Sequence, residues 1–401
     1  MQWIVGVILF ALGICISVAL HEAGHMAAAK MFGMRVRRYF IGFGPTIWSF
    51  RRGETEYGLK AIPAGGFCDI AGMTALDEVT PEEAPRAMWR YATWKRFVVM
   101  VAGSITHFII GFVILYLMAI TMGLPNLSLD VNTVRPQVGT VNDCVVDKTK
   151  TSGTGCTSGA AAPAKNAGLR PGDVVQSVAG TPTPTWRDMV KKVEGLSGPA
   201  EFVVRRGSQT LTLTVDVAQV ATTDGKKVGA IGVSVALPPT VNTYGALDGV
   251  GGAASFTGQM FVGVWNGLLA FPEKIPKVVQ AIGGGQRDPE TPVSVVGASI
   301  IGGDAVERGL WEIFILMLAT LNFFVGVFNL LPLLPLDGGH IAVLFYEKIR
   351  DWVRRLRGKP AGGPVDYSKL SAVTMVFVLL GGAVVLLTVT ADIVNPIRIP
   401  Q

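Results

Sequence analysis

Charge is what this chain is short of. Of its 401 residues, 16% are charged and 50% hydrophobic, whereas about one quarter of a soluble domain is charged. The shortage argues against an ordinary soluble enzyme and points to a membrane protein with a sizeable aqueous part. Histidine and cysteine are scarce as well, at four residues each, which excludes a small fold stapled by many disulfides. No internal repeat is visible, and that speaks against a transporter built from duplicated halves. The first apolar run lacks a basic leader and an A-x-A-like site and is too long for a cleaved signal, so it is expected to stay as a span.

The basic residues that are present crowd into 35–52, 86–96 and 348–357, short loops between hydrophobic runs. A positive-inside bias accounts for them, and no nucleic-acid partner is expected. About four transmembrane helices follow, over roughly 3–32, 97–123, 311 to beyond 329, and 373–393. With the basic loops in the cytoplasm, both termini and the region 124–310 lie on the extracytoplasmic side of the cell membrane. There Cys144 and Cys156 bracket the flexible stretch "VVDKTKTSGTG", and an oxidising compartment would pair them.

Against this background "HEAGH" stands out, because it sets His21, Glu22 and His25 inside an apolar run. Ionisable groups are costly in hydrocarbon and mark function. Residues four apart share a helix face, so both imidazoles can reach one ion, with Glu22 beside them as general base. Such a zinc site wants a third protein ligand and an open position for water. From Trp3 to His21 a helix rises about 27 Å, close to the ~30 Å of the hydrocarbon core. The same rise from Trp311 reaches Asn329, just before "NLLPLLPLDGGH". Its prolines and glycines disfavour regular helix, and irregular backbone at that depth is tolerated only around a polar or protein-lined cavity. Asp337 is the acid of that stretch and the expected third ligand, with His340 as its rival.

With "HEAGH" in a first span and "NLLPLLPLDGG" in a late one, the chain resembles the zinc-dependent site-2 proteases, which cut transmembrane segments of their substrates. The likeness extends over nearly the whole chain, through "IGFGPTIWSFRRGETEYGLKAIPAGGF", the PDZ-like "VGTV" and "AGLRPGDVV", and "TPVSVVGASI". The loop sequences and the Cys144–Cys156 insertion look like the actinobacterial branch, including its mycobacterial members. The resemblance implies that His21, His25 and Asp337 hold Zn2+, that Glu22 activates water, and that Asn329 holds the substrate backbone near the metal. It implies single-span membrane-protein substrates such as anti-sigma factors, cut after an upstream protease has trimmed them. At "AGSITH" the chain departs from the pattern, with Ser104 and His107 where relatives commonly carry proline and asparagine. His107 is therefore left out of the expected catalytic set.

The fold expected is a polytopic α-helical membrane protein with an inserted extracytoplasmic PDZ-like α+β domain and a re-entrant β-hairpin. The N-terminal membrane half covers 1–127 and includes a β-loop over 33–96. The PDZ-like domain covers 128–237, an interfacial linker helix region 238–310, and the C-terminal membrane half 311–401. Within 55–72, "TEYGLKAIPAGGFCDIAG" alternates, is β-branched and carries Pro63 and the Gly65-Gly66 pair, so it reads as a hairpin. Its exposed edge, along 55–62, would pair with an unwound substrate, and Gly65 and Gly66 belong to the substrate-binding set. A helix over 258–279 is expected to lie in the outer interface, the alternative of a short extra span being interrupted by Pro272, Glu273 and Lys274. A competing function, that of a non-catalytic chaperone or adaptor retaining the fold, leaves Glu22 without a purpose.

Overall fold

The computed structural model describes residues 1–74, 77–127, 129–130, 133–145, 161–222, 226–285, 287–363 and 365–399. Cys156 falls outside these residues, and with it the expected pairing to Cys144. The described residues divide into two compact units, one of Met1–Leu124 with Thr243–Gln401 and the other of Pro125–Asn242.

The larger unit is helical. It contains α1 (Gln2–Met31) and α2 (Thr93–Thr121). The smaller unit contributes α3 (Pro163–Asn166) and α4 (Trp186–Glu194). The larger unit resumes with α5 (Asp248–Ile282), α6 (Val295–Glu307), α7 (Trp311–Asn329), α8 (Asp337–Leu356) and α9 (Ser371–Val394). Among the described residues α1, α2, α7 and α9 are long and apolar enough to cross a membrane. Their outward residues are largely apolar and exposed, as in Ile4, Ile8 and Leu12 of α1 and Leu379, Leu380 and Leu386 of α9. Such a surface suits lipid, which solvates an apolar side chain as well as a protein core does.

α1 packs against α6 through Phe10, Ala305 and Val306, with Phe314 of α7 completing the cluster. The Phe10 and Phe314 rings meet edge to face, their centroids 5.5 Å apart. α2 packs against α7 where Phe108 stacks on Phe323.

α5 is one long helix. It runs unbroken through Pro272 and Pro276, and Phe256, Phe261 and Val264 bury themselves against Leu115 and Met118 of α2 and Ala319 and Phe323 of α7. That face is thus covered by protein. Two of its lysines are received by the loop after the helix. Lys274 Nζ donates to the Glu290 carbonyl at 2.9 Å, and Lys277 to the Asp288 carboxylate at 2.7 Å.

Between α1 and α2 lie β1 (Val36–Arg52) and β2 (Thr55–Ile70), an antiparallel pair. The turn falls at Gly53 and Glu54, where Gly53 takes φ +61°, and not at Pro63–Gly66 as the sequence suggested. Register explains the difference. Arg38 to Ile41 have two sets of partners, Asp69 to Gly66 and Glu56 to Leu59, while Trp48 to Arg52 pair with Leu59 to Thr55. Four sheet segments result, in the order 46–52, 55–62, 36–43 and 66–70. The two arms around Pro63 are separated by β1, so 55–62 is interior and the free edges are 46–52 and 66–70. Arg37 ties the next loop down, donating to Glu83 at 2.8 Å and Asp77 at 2.9 Å.

The smaller unit holds a five-stranded sheet in the order Thr181–Pro182, Val174–Val178, Gly198–Arg206, Gln209–Ala221, Lys227–Ala230. Its core joins Val175, Phe202, Val204 and Val215 to Met189 and Val193 of α4. A capping box of Thr185 and Asp188 starts α4, satisfying backbone donors that the first turn leaves orphaned.

Candidate metal centre

His21 and His25 lie one turn apart on the same buried face of α1. After α7, the segment Leu330–Leu336 with its two prolines breaks the helix and α8 begins at Asp337. Gly338 and Gly339 lie so close to the Leu330–Leu334 backbone that no side chain would fit there, and this tight reversal delivers Asp337 to α1. Its Oδ2 stands 3.3 Å from both His21 Nε2 and His25 Nε2, which are 3.1 Å from each other.

Three atoms with lone pairs thus face one another, and the buried Asp337 Oδ2 has no hydrogen-bond donor. A cation resolves that arrangement. Ligand atoms bound tetrahedrally to zinc at about 2.0–2.1 Å stand roughly 3.3 Å apart, so the donor set fits such an ion. His25 donates its outer Nδ1–H to the Val99 carbonyl at 2.7 Å, which fixes the tautomer that leaves Nε2 free to ligate. Room for the pair is made by Gly103 of α2, where a Cβ would collide with His25 Nε2 and with His21 Nε2.

Glu22 sits at the rim. It is half-buried on α1, and Gly66 passes beside it. The 66–70 segment is therefore the sheet edge next to this carboxylate. Further contacts hold the sheet along α1, with the Tyr39 hydroxyl donating to the Ala19 carbonyl at 2.7 Å and Cys15 Sγ approaching the Pro63 carbonyl at 3.6 Å. Gly65 takes φ +135° with the Phe43 ring against it, a backbone conformation that favours glycine.

Of the residues singled out from sequence, His21, Glu22, His25, Gly66 and Asp337 come together. His340 does not join the ligand atoms, because its Nδ1 faces the Tyr367 hydroxyl at 3.2 Å. Asn329 ends α7 half-buried, and its amide makes no hydrogen bond among the described residues. Sequence reasoning missed Val99 and Gly103, whose roles depend on a backbone carbonyl and on an absent side chain. It also set aside His107, which is buried with its ring centroid 4.9 Å from that of His21.

Comparison with known proteins bears on this geometry. A family model described as Peptidase family M50 matches residues 9–373. The chain is 48% identical over 410 residues to the zinc metalloprotease Rip1 of Mycobacterium bovis, covering all of both chains. It is 46% identical over 411 residues to Rip1 of Mycolicibacterium smegmatis, again over both full lengths. The chloroplastic membrane metalloprotease ARASP of Arabidopsis thaliana is 26% identical over 379 residues, which cover 91% of this chain and 74% of the relative.

Proposed function

The chain belongs to peptidase family M50 and is an intramembrane zinc metalloendopeptidase, and from that premise we propose that His21, His25 and Asp337 hold its zinc and Glu22 is its general base. The observation that carries this reading is the convergence of three lone-pair atoms within 4.8 Å of one another, with the Glu22 carboxylate on the same helix between the two histidines. The metal supplies an acidified water and a polarised substrate carbonyl. Glu22 takes the proton of the attacking water on a carboxylate oxygen and passes it to the departing amide nitrogen. His25 keeps its lone pair on the metal side because Val99 holds its other proton.

A helical peptide hides its carbonyls, so the substrate is cut in an extended form. The 66–70 edge supports this role, since it lies beside Glu22 and its outer side carries no sheet partner among the described residues, which leaves it able to pair with a second main chain. Asn329, at the end of α7, holds the substrate backbone from the other side. The sheet is re-entrant and dips towards the metal from the cytoplasmic face. Its exposed Phe43, Ile47, Trp48, Leu59 and Ile62 fit an apolar surrounding better than water.

The family acts on membrane proteins within the bilayer. For this chain we assign single-span substrates of the anti-sigma-factor type, trimmed first by another protease. The unit Pro125–Asn242 is a PDZ-like extracytoplasmic domain that obstructs untrimmed substrates. Both termini are extracytoplasmic and the metal centre lies near the cytoplasmic face. The decisive experiment is Glu22→Gln in the purified full chain. It is expected to retain one zinc and bind a single-span substrate while losing cleavage by at least about a hundredfold. Full cleavage by this variant would remove Glu22 from the chemistry.

A further inference from the structure

The chemistry above makes no use of His107, yet its surroundings are specific. The ring is buried on α2, one turn after Gly103, and its Nδ1 lies 2.9 Å from Asn322 Oδ1. The Asn322 amide nitrogen in turn reaches the Leu318 carbonyl at 2.8 Å and Ser17 Oγ at 3.2 Å. A backbone carbonyl can only accept, so the atom facing Leu318 is the amide NH2 and the atom facing His107 is its oxygen. His107 must then donate from Nδ1, which leaves the lone pair on Nε2. That Nε2 is buried and has no hydrogen-bond partner.

His21 shows the converse. Its Nε2 faces His25 and Asp337, so as a neutral ligand it carries its proton on Nδ1, and this buried Nδ1 also has no partner. The corresponding proton of His25 is taken by Val99, as the outer N–H of a ligating imidazole ordinarily is taken by an acceptor. Two neighbouring rings therefore present a buried donor without an acceptor and a buried acceptor without a donor. Their centroids are 4.9 Å apart and their planes tilted by 41°. Two imidazoles joined by an N–H···N bond of about 2.9 Å have centroids roughly 5.2 Å apart, a separation comparable to the one seen here.

We propose that His107 is a positioning residue of the metal centre, its Nε2 accepting the Nδ1–H of His21. Ser17 and Asn322 hold His107 in the accepting tautomer, and His107 holds His21 in the ligating one. The inference rests on His21, His25 and Asp337 being the zinc ligands, and it assigns a function to a residue outside that set.

Zinc affinity, measured on the purified full chain by competition with a chromophoric chelator, tests it without reference to activity. His107→Phe is expected to weaken zinc binding by about 10–100-fold. His107→Gln, which returns an amide oxygen to the same region, is expected to stay within several-fold of the parent. His107→Ala replaces the Phe variant if the latter elutes as aggregate. Parent-like affinity in a monodisperse Phe or Ala variant overturns the proposal, as does equal weakening by Gln and Phe. The ligand reading is judged separately, since it fails if His25→Ala retains the zinc.

Discussion

Gly66 passes so close to Glu22 that a methyl group on it would stand 3.2 Å from the glutamate Cγ and 3.1 Å from the Phe40 carbonyl. Neither neighbour can yield without shifting the carboxylate or the sheet. Gly66→Ala is therefore expected to lower kcat by about 10–100-fold, the loss that accompanies misplacement of a catalytic group by about 1 Å. Zinc content should stay at the parent value. A kcat within twofold of the parent would show that the 66–70 edge does not set the position of Glu22.

Gly103 calls for a different outcome. A side chain there collides with the imidazole nitrogens themselves, so Gly103→Ala is expected to strip the metal. The full chain should copurify with less than about a tenth of the parent's zinc, the range in which support of a ligand operates. Mass spectrometric metal analysis decides the point, and full occupancy would refute the crowding argument.

The loop after the sheet carries a pH dependence. The Arg86 guanidinium, followed by that of Arg35, holds the Glu54 carboxyl below its ordinary value, and Arg37 does the same for Glu83. A carboxylate lowered in the folded state contributes stability that is complete above its unfolded value, about 4.3. The contribution disappears as pH falls through the folded value. Hydrogen exchange of 77–90, corrected for intrinsic rates, should therefore accelerate below about pH 4, and Glu54→Gln should show the faster exchange already at pH 7. The pairs are partly exposed, so the effect is local and modest.

Asp392, near the end of α9, is buried and accepts from Arg287 at 2.8 Å and from the Ser294 N–H at 2.6 Å. Removing one partner of a buried ion pair costs about 3–5 kcal/mol. Asp392→Ala should thus lower the Tm of the detergent-solubilised protein, while Asp392→Leu combined with Arg287→Leu recovers part of the loss. If the double variant proves no more stable than the single one, the pair is not what anchors α9.

The histidines and Asp337 could be read from the chain because their signals are local, one a four-residue spacing and the other a cluster of Pro and Gly at a span's end. The sheet was harder. "VRRYFIGFGPTIWSFRR" has the charge of an ordinary loop and its glycines interrupt alternation, so β1 gave no strand signal and the turn was sought within β2. Ser17, Asn322 and His107 form a connected set only in three dimensions. Asn322 is 215 residues from His107 and 305 from Ser17, and a lone polar residue in an apolar run carries no periodic mark of its partner. The length of α5 was hidden for the opposite reason, because Pro272, Glu273 and Lys274 look disruptive in sequence while the helix runs through them.

Asp304 of α6 accepts from the Trp3 indole at 2.9 Å and from the Arg398 guanidinium at 2.7 Å. The first and last turns of the polypeptide thereby share one carboxylate. Loss of that carboxylate, as in Asp304→Ala, would release the start of α1 and the segment after α9 together.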